Sequence, residues 1–176
     1  KTSRSIICFS YISTPTATAR YVFPVPAGPI PNTISFLRSA EAKAKLKPCL
    51  AESNVEKTMT APVTVIVASD PKFYDQLPKQ FPHTDARSWF VGNEDLIQQT
   101  AFRNSSLQGA YFMLAARALG LDCGPMSGFD PKKVNEAFFA KSQFQANFIC
   151  NLGYGDNQKL FPRSPRLNFS EACQVL

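Results

Sequence analysis

The stretch AFRNSSLQGAYFMLAARALGLDCGPMSGFD, residues 101–130, decides the fold. Up to Leu119 it spaces apolar side chains as an α-helix does. Its second half is apolar almost all round, the pattern of a helix buried on most sides. Gly120 then ends it in the manner of a left-handed C-cap. Extended back to Glu94, the helix spans about 39 Å at 1.5 Å per residue, long enough to be the central element of the domain. The residues that follow, GPMSGFDPKK at 124–133, hold two glycines, two prolines and one acid. Two readings compete for them: a turn between helices, or backbone laid against a flat ligand.

Working outward, ISFLR (34–38) suits a short strand. SAEAKAKLKPCLAES (39–53) suits a helix with Ser39 as N-cap, ended by Pro48. APVTVIVASD (61–70) is rich in β-branched residues and reads as a buried strand with Pro62 at its start. DPKFYDQL (70–77) reads as a short helix capped by Asp70, with Pro71 in its first position. Beyond the opening stretch, DPKKVNEAFFA (130–140) is a helix with Asp130 as N-cap. FQANFICNLGYGD (144–156) is a strand whose glycines mark its exit. A basic, proline-broken tail with a short helix near Ser170 closes the chain. The order strand, helix, strand, helices, strand predicts an α+β fold, a small mixed sheet packed on the long central helix.

Composition narrows the function. The chain has 176 residues, enough for one domain with a real core. No run approaches the roughly 18–20 apolar residues of a membrane span. The net charge of +6 is not a nucleic-acid signature. Residues 1–40 supply Lys1, Arg4, Arg20 and Arg38 with no acid, and the remaining 136 residues are nearly balanced at 15 basic against 13 acidic. Cys8, Cys49, Cys123, Cys150 and Cys173 form no CxxC, and His83 is the only histidine. That spacing supports neither a zinc site nor a Cys–His nucleophilic pair, and a reduced, cytoplasmic protein is the simplest reading.

AFRNSSLQGAYFMLAARALGLDCGPMSGFD, followed by NFICNLGYGD and KLFPRSPRL, resembles the nitroreductase family of flavin mononucleotide (FMN) enzymes. TAPVTVIVASD, FPHTDARSWF and AFRNSS resemble one branch of it, the malonic semialdehyde reductases of bacterial pyrimidine breakdown. The resemblance covers about residues 36–176. It implies a homodimer with FMN at the interface and NADPH or NADH as hydride donor. The substrate would be a small aldehyde, malonic semialdehyde reduced to 3-hydroxypropionate. A general nitroreductase or quinone reductase is the alternative within the family, and a flavin-free remnant acting as an interaction module the alternative outside it. By match, Pro125, Met126, Ser127 and Gly128 lie along the flavin ring, with a backbone N–H near Gly128 facing flavin N5. Lys159 and Arg163 match positions that hold the flavin phosphate, with Arg166 a weaker candidate. No catalytic side chain is required, because a flavin carries the hydride chemistry. No metal, nucleic acid or membrane is implied. Arg87 is a candidate for a substrate carboxylate or for an ordinary surface ion pair.

Residues 1–35 do not match the family. STPTATARYVFPVPAGPIPNT (13–33) carries five prolines between Pro15 and Pro31, a density that favours extended, polyproline-like chain. The segments that open the family, two helices and a ring-contacting GPTSANCSPAR-like stretch, are missing. The abrupt join near Ser35 points to a frameshift, a misplaced gene start or a fusion.

Overall fold

The computed structural model of the chain describes residues 6–14, 17–24 and 33–176, with side chains from residue 33 onward. The proline-dense residues 25–32 lie outside the described residues. Ahead of them, β1 (Ile6–Thr14) and β2 (Ala17–Pro24) pair as an antiparallel hairpin, where the sequence suggested only extended chain.

The body is a four-stranded sheet in the order β3–β4–β6–β5, formed by β3 (Thr33–Leu37), β4 (Val63–Ser69), β5 (Asp122–Met126) and β6 (Gln145–Gly153). All three pairings are antiparallel, so the sheet is not the mixed one expected. β3 and β4 are joined through two helices, not the single crossover helix typical of parallel neighbours. β4 is buried along its whole length because strands flank both its edges and helices cover both its faces. Its alternation sorts the core. Val63, Val65 and Val67 pack with Cys150 and Leu152 of β6 against Phe112 and Ala116 of the long helix. Ile66 and Ala68 join Ile149 on the opposite face, with Leu46, Cys49, Val134 and Phe139.

That opposite face is covered by α1 (Ala40–Leu46), α2 (Glu52–Thr60) and α5 (Pro131–Val134). The Ser39 side chain accepts from the Ala42 N–H, and Pro48 lies in a 3-10 turn just past α1, as its position predicted. α2 was not foreseen. Asp130 caps α5 by accepting from the Lys132 and Lys133 N–H groups. The turn after β4 starts at Phe73, later than expected, with Asp70 accepting from the Lys72 N–H and α3 (Leu77–Gln80) following.

The long helix, α4 (Glu94–Ala118), is as predicted, and Gly120 has φ +79° at its end. Its burial differs from expectation. One face carries Ile97, Ala101, Ser105, Gly109, Phe112 and Ala116 into the core, but Leu107, Tyr111 and Leu114 are exposed. Those three recur at i, i+4 and i+7 and make one apolar stripe. No helix among the described residues is long and apolar enough to cross a membrane.

Gly109 explains how closely α4 approaches the sheet. A Cβ there would overlap the Phe148 ring of β6. Glycine costs about 1 kcal/mol in a helix interior relative to alanine, so this position trades propensity for contact. Gly109→Leu regains less than that and overpacks the interface by about 1–3 kcal/mol. The expected outcome is net destabilisation, read as a lower urea midpoint with an unchanged slope.

Candidate functional site

The stretch 124–133 is neither a helix-to-helix turn nor wholly a loop. Its first part completes the edge strand β5, with Pro125 opposite Cys150 and Met126 opposite Ile149. This strand was missed because its sequence, DCGPM, lacks β-branched residues and holds a glycine and a proline; proline is tolerated at an edge position. Pro125 and Ser127 are exposed, and Met126 and Gly128 are half-buried.

Past Met126 the backbone is held from one side. The Gly128 carbonyl accepts the Asn54 amide (Nδ2–O 2.8 Å) and the Ala51 N–H (3.0 Å). The Asp130 N–H donates to the Cys49 carbonyl at 2.8 Å, completing a short bridge between Leu50 and Phe129. The Phe129 N–H donates to the Ser127 carbonyl at 2.9 Å, closing a tight turn around Gly128. In a trans peptide the N–H points away from its own carbonyl. Tying down the Ser127 carbonyl therefore turns the Gly128 N–H the other way, and it has no partner among the described residues.

The support behind this turn is a buried polar network that the sequence reading did not find. Thr64 of β4 donates to the Asn151 Oδ1 of β6 at 2.8 Å. The Asn151 amide donates to the Lys57 carbonyl and to the Thr58 hydroxyl. Thr58 in turn donates to the Met126 sulfur at 3.6 Å. Lys43 of α1 is buried and donates to the carbonyls of Thr58 and Ala61 at the C-terminus of α2, a position favourable for a cation. Burial lowers the Lys43 pKa from its ordinary value. Asn54 and Thr58 sit four apart on α2 and share one face. That spacing was the available signal, but α2 has no side-chain N-cap to announce its start.

The tail residues lie elsewhere. Lys159 and Arg163 are exposed and have no acidic partner among the described residues. Arg166 donates to the carbonyls of Ser164 and Pro165. The tail leaves β6 at Gly153, which pairs with Asp122. Its exit therefore sits at the opposite end of β5 from Met126, about 13 Å along the strand. Asp122 anchors that exit, accepting the Gly155 N–H at 2.8 Å while paired with Arg117 at 2.5 Å. Arg87 pairs with Asp75 at 2.9 Å, with its guanidinium over the Tyr74 ring, so the structure gives it the surface ion pair.

Three of the thiols, Cys49, Cys123 and Cys150, are poor nucleophile candidates. Burial pushes Cys150 up to about 12 and raises Cys49 and Cys123. His83 is exposed and lies edge-on to Phe81.

Glycine at 128 has a structural reason independent of any ligand. A Cβ there would overlap the Asn54 amide and touch Ala51 at 3.4 Å. Gly128→Ala should lower stability by about 1–2 kcal/mol, because Asn54 must swing off the carbonyl it serves. Adding Asn54→Ala should recover part of that loss. Denaturant unfolding of the two single variants and the double variant checks this; strictly additive losses would mean that the two positions do not touch.

The nitroreductase family model matches residues 29–154, so the match starts ahead of residue 36, where the sequence reading placed it. A relative from Ralstonia nicotianae, provisionally named an NADH dehydrogenase/NAD(P)H nitroreductase, is 59% identical over 87% of this chain and 78% of its own. A similarly named protein from Burkholderia lata is 60% identical over 86% of this chain and 78% of its own. Among solved structures, a nitroreductase from Bacillus subtilis superposes with a TM-score of 0.71 at 22% identity, over 82% of this chain and 77% of that one. A nitroreductase from Exiguobacterium sibiricum, solved in complex with FMN, gives a TM-score of 0.70 at 23% identity, over 85% and 82%. The sheet, the long helix and the sequence match agree: the chain belongs to the nitroreductase family.

Proposed function

We propose that the chain is an NAD(P)H-dependent flavin oxidoreductase that binds FMN non-covalently and reduces a small aldehyde, malonic semialdehyde, to 3-hydroxypropionate. The observation that carries the cofactor reading is the Gly128 N–H. It is a backbone donor without a partner among the described residues, fixed by a tied carbonyl on either side. The residues fit a flat, anionic flavin nucleotide. Pro125, Met126 and Ser127 offer a surface without charge beside that donor, and Lys159 and Arg163, with no acidic partner among the described residues, offer cations for a phosphate. The family membership and the NAD(P)H names of the relatives support the same activity.

When bound, FMN would supply the hydride chemistry between the nicotinamide and the substrate carbonyl. The chain's part is binding and orientation. The Gly128 N–H would face N5 of the ring, and Arg163 and Lys159 would hold the phosphate. Arg87 can hold a substrate carboxylate only by leaving Asp75, an exchange of one carboxylate for another. The motif FPHTDARSWF supports the aldehyde substrate, and the nitroreductase names of the relatives favour a broader nitro or quinone substrate. Comparing kcat/KM for malonic semialdehyde, a nitroaromatic and a quinone separates the two.

A second copy of the chain is part of this reading. The Leu107, Tyr111 and Leu114 stripe is open, with Leu114 66% exposed. The tail carries further uncovered apolar groups, Phe161 at 95% among them. Large apolar surfaces of this kind mark protein contacts. A partner also offers a second route for a phosphate-binding tail to reach a loop that lies at the far end of β5.

The central test is flavin titration of the full chain, followed by fluorescence and by nicotinamide oxidation. Saturable FMN binding is expected, and Arg163→Ala should raise the dissociation constant about tenfold or more, since one charge-assisted bond is worth roughly 1.5–3 kcal/mol. A chain that never takes up FMN ends the proposal; an unchanged constant returns Arg163 to solvent. For the dimer, Leu114→Glu places a charge in the apolar stripe and should shift light scattering from two chain masses to one.

A further inference from the structure

We propose that Asn54 is a positioning residue for the flavin reaction: its side-chain amide fixes the turn that aims the Gly128 N–H at flavin N5. This rests on the reading that the Gly128 N–H faces the flavin. Asn54 touches neither FMN nor substrate in this account and acts only through Gly128.

Four observations carry it. First, Asn54 is 6% exposed, and its Nδ2 donates to the Gly128 carbonyl at 2.8 Å. A buried amide is retained against its desolvation cost only where it makes its bonds. Second, that carbonyl does not need Asn54 to be satisfied, because the Ala51 N–H already donates to it at 3.0 Å. The second donor adds direction: two bonds to one oxygen hold the orientation of the peptide after Gly128. Third, the bond from Phe129 N–H to the Ser127 carbonyl holds the peptide before Gly128 and leaves its N–H pointing away from the turn. Fourth, Asn54 fills the space that a Cβ at 128 would need, so the backbone rests directly on the amide.

The mount behind Asn54 is firm. Lys43 binds the last turn of α2, and Asn151 binds the Lys57 carbonyl and the Thr58 hydroxyl. Thr58 reaches the Met126 sulfur, so α2 grips the loop both before and at the glycine. A donor held in this way needs no reorganisation when charge develops on the acceptor.

The test uses the full chain, wild type and Asn54→Leu, with FMN labelled with ¹⁵N at N5. In wild type without flavin, hydrogen exchange should be fast at the Gly128 amide and slow at the Ala51 amide. FMN should then protect Gly128. A Gly128 amide already protected without flavin overturns the proposal, and this measurement needs no variant. In Asn54→Leu, exchange at Ala51 should accelerate about tenfold or more. The N5 resonance should move toward that of flavin in an apolar solvent. Hydride transfer from nicotinamide should slow about tenfold, with the FMN dissociation constant changed less than about threefold. If Leu at 54 prevents folding, Asn54→Ala takes its place. A wild-type N5 resonance with no hydrogen-bond signature sinks the placement of the loop at N5, and the role of Asn54 with it. A hydrogen-bonded N5 that is identical in wild type and variant leaves the loop placement standing and removes Asn54.

Discussion

The structure depends on the burial of β4 from every side. A strand with paired edges and two covered faces has no place to shed a polar side chain, and VTVIVAS supplies apolar groups at nearly every position. Of its two polar residues, Thr64 is fully buried and bonded to Asn151, and Ser69 ends the strand with its hydroxyl donating to the Gln145 carbonyl. A buried hydroxyl or amide costs about 1–3 kcal/mol if left unpaired, so each polar side chain here commits the next. Thr64 commits Asn151, Asn151 commits α2, and α2 commits the turn at Gly128. The centre of the sheet thus dictates the geometry of a loop at its edge.

The two faces of the sheet have different tasks. On one, α4 is drawn in close by Gly109 and makes an apolar contact with β4 and β6, joined by the Asn147 amide donating to Ser105 and Ser106. On the other, α1, α2 and α5 mix an apolar cluster with the polar network that reaches Met126 and Gly128. The backbone donor belongs to the second face, while the exposed apolar stripe belongs to the far side of the first. Folding, ligand contact and association therefore draw on separate surfaces of one small body.

Much of this was legible in the sequence. Strong local signals carried through: the β-branched run of β4, the capping residues Ser39 and Asp130, and the length of α4 with its glycine stop. The cap of α4, Asn93, was not read, although the helix start at Glu94 was. α2 stayed hidden because Ala51 offers no capping side chain, and β5 because its residues are poor strand formers held in place by β6. The burial of α4 was overestimated since periodicity reports how much apolar surface a helix has, not whether the same chain covers it. For the site, motif resemblance supplied Pro125, Met126, Ser127, Gly128, Lys159 and Arg163, but it said nothing of what lies behind the glycine. Asn54 is 74 residues from Gly128 along the chain, and no local pattern links them.

The contact between Asn54 and Gly128 has a consequence for how such chains can diverge. The amide occupies the volume in which a side chain at 128 would begin. A side chain is admitted at 128 only if position 54 shrinks, and shrinking 54 alone leaves a gap and loosens the turn. Neither single step is comfortable, so the two sites form a lock that opens only by paired substitution. Across sequences of this fold the pair should therefore change together: glycine with a long polar partner, or a larger residue with a small one. Directed libraries that randomise one position without the other would sample mostly destabilised loops.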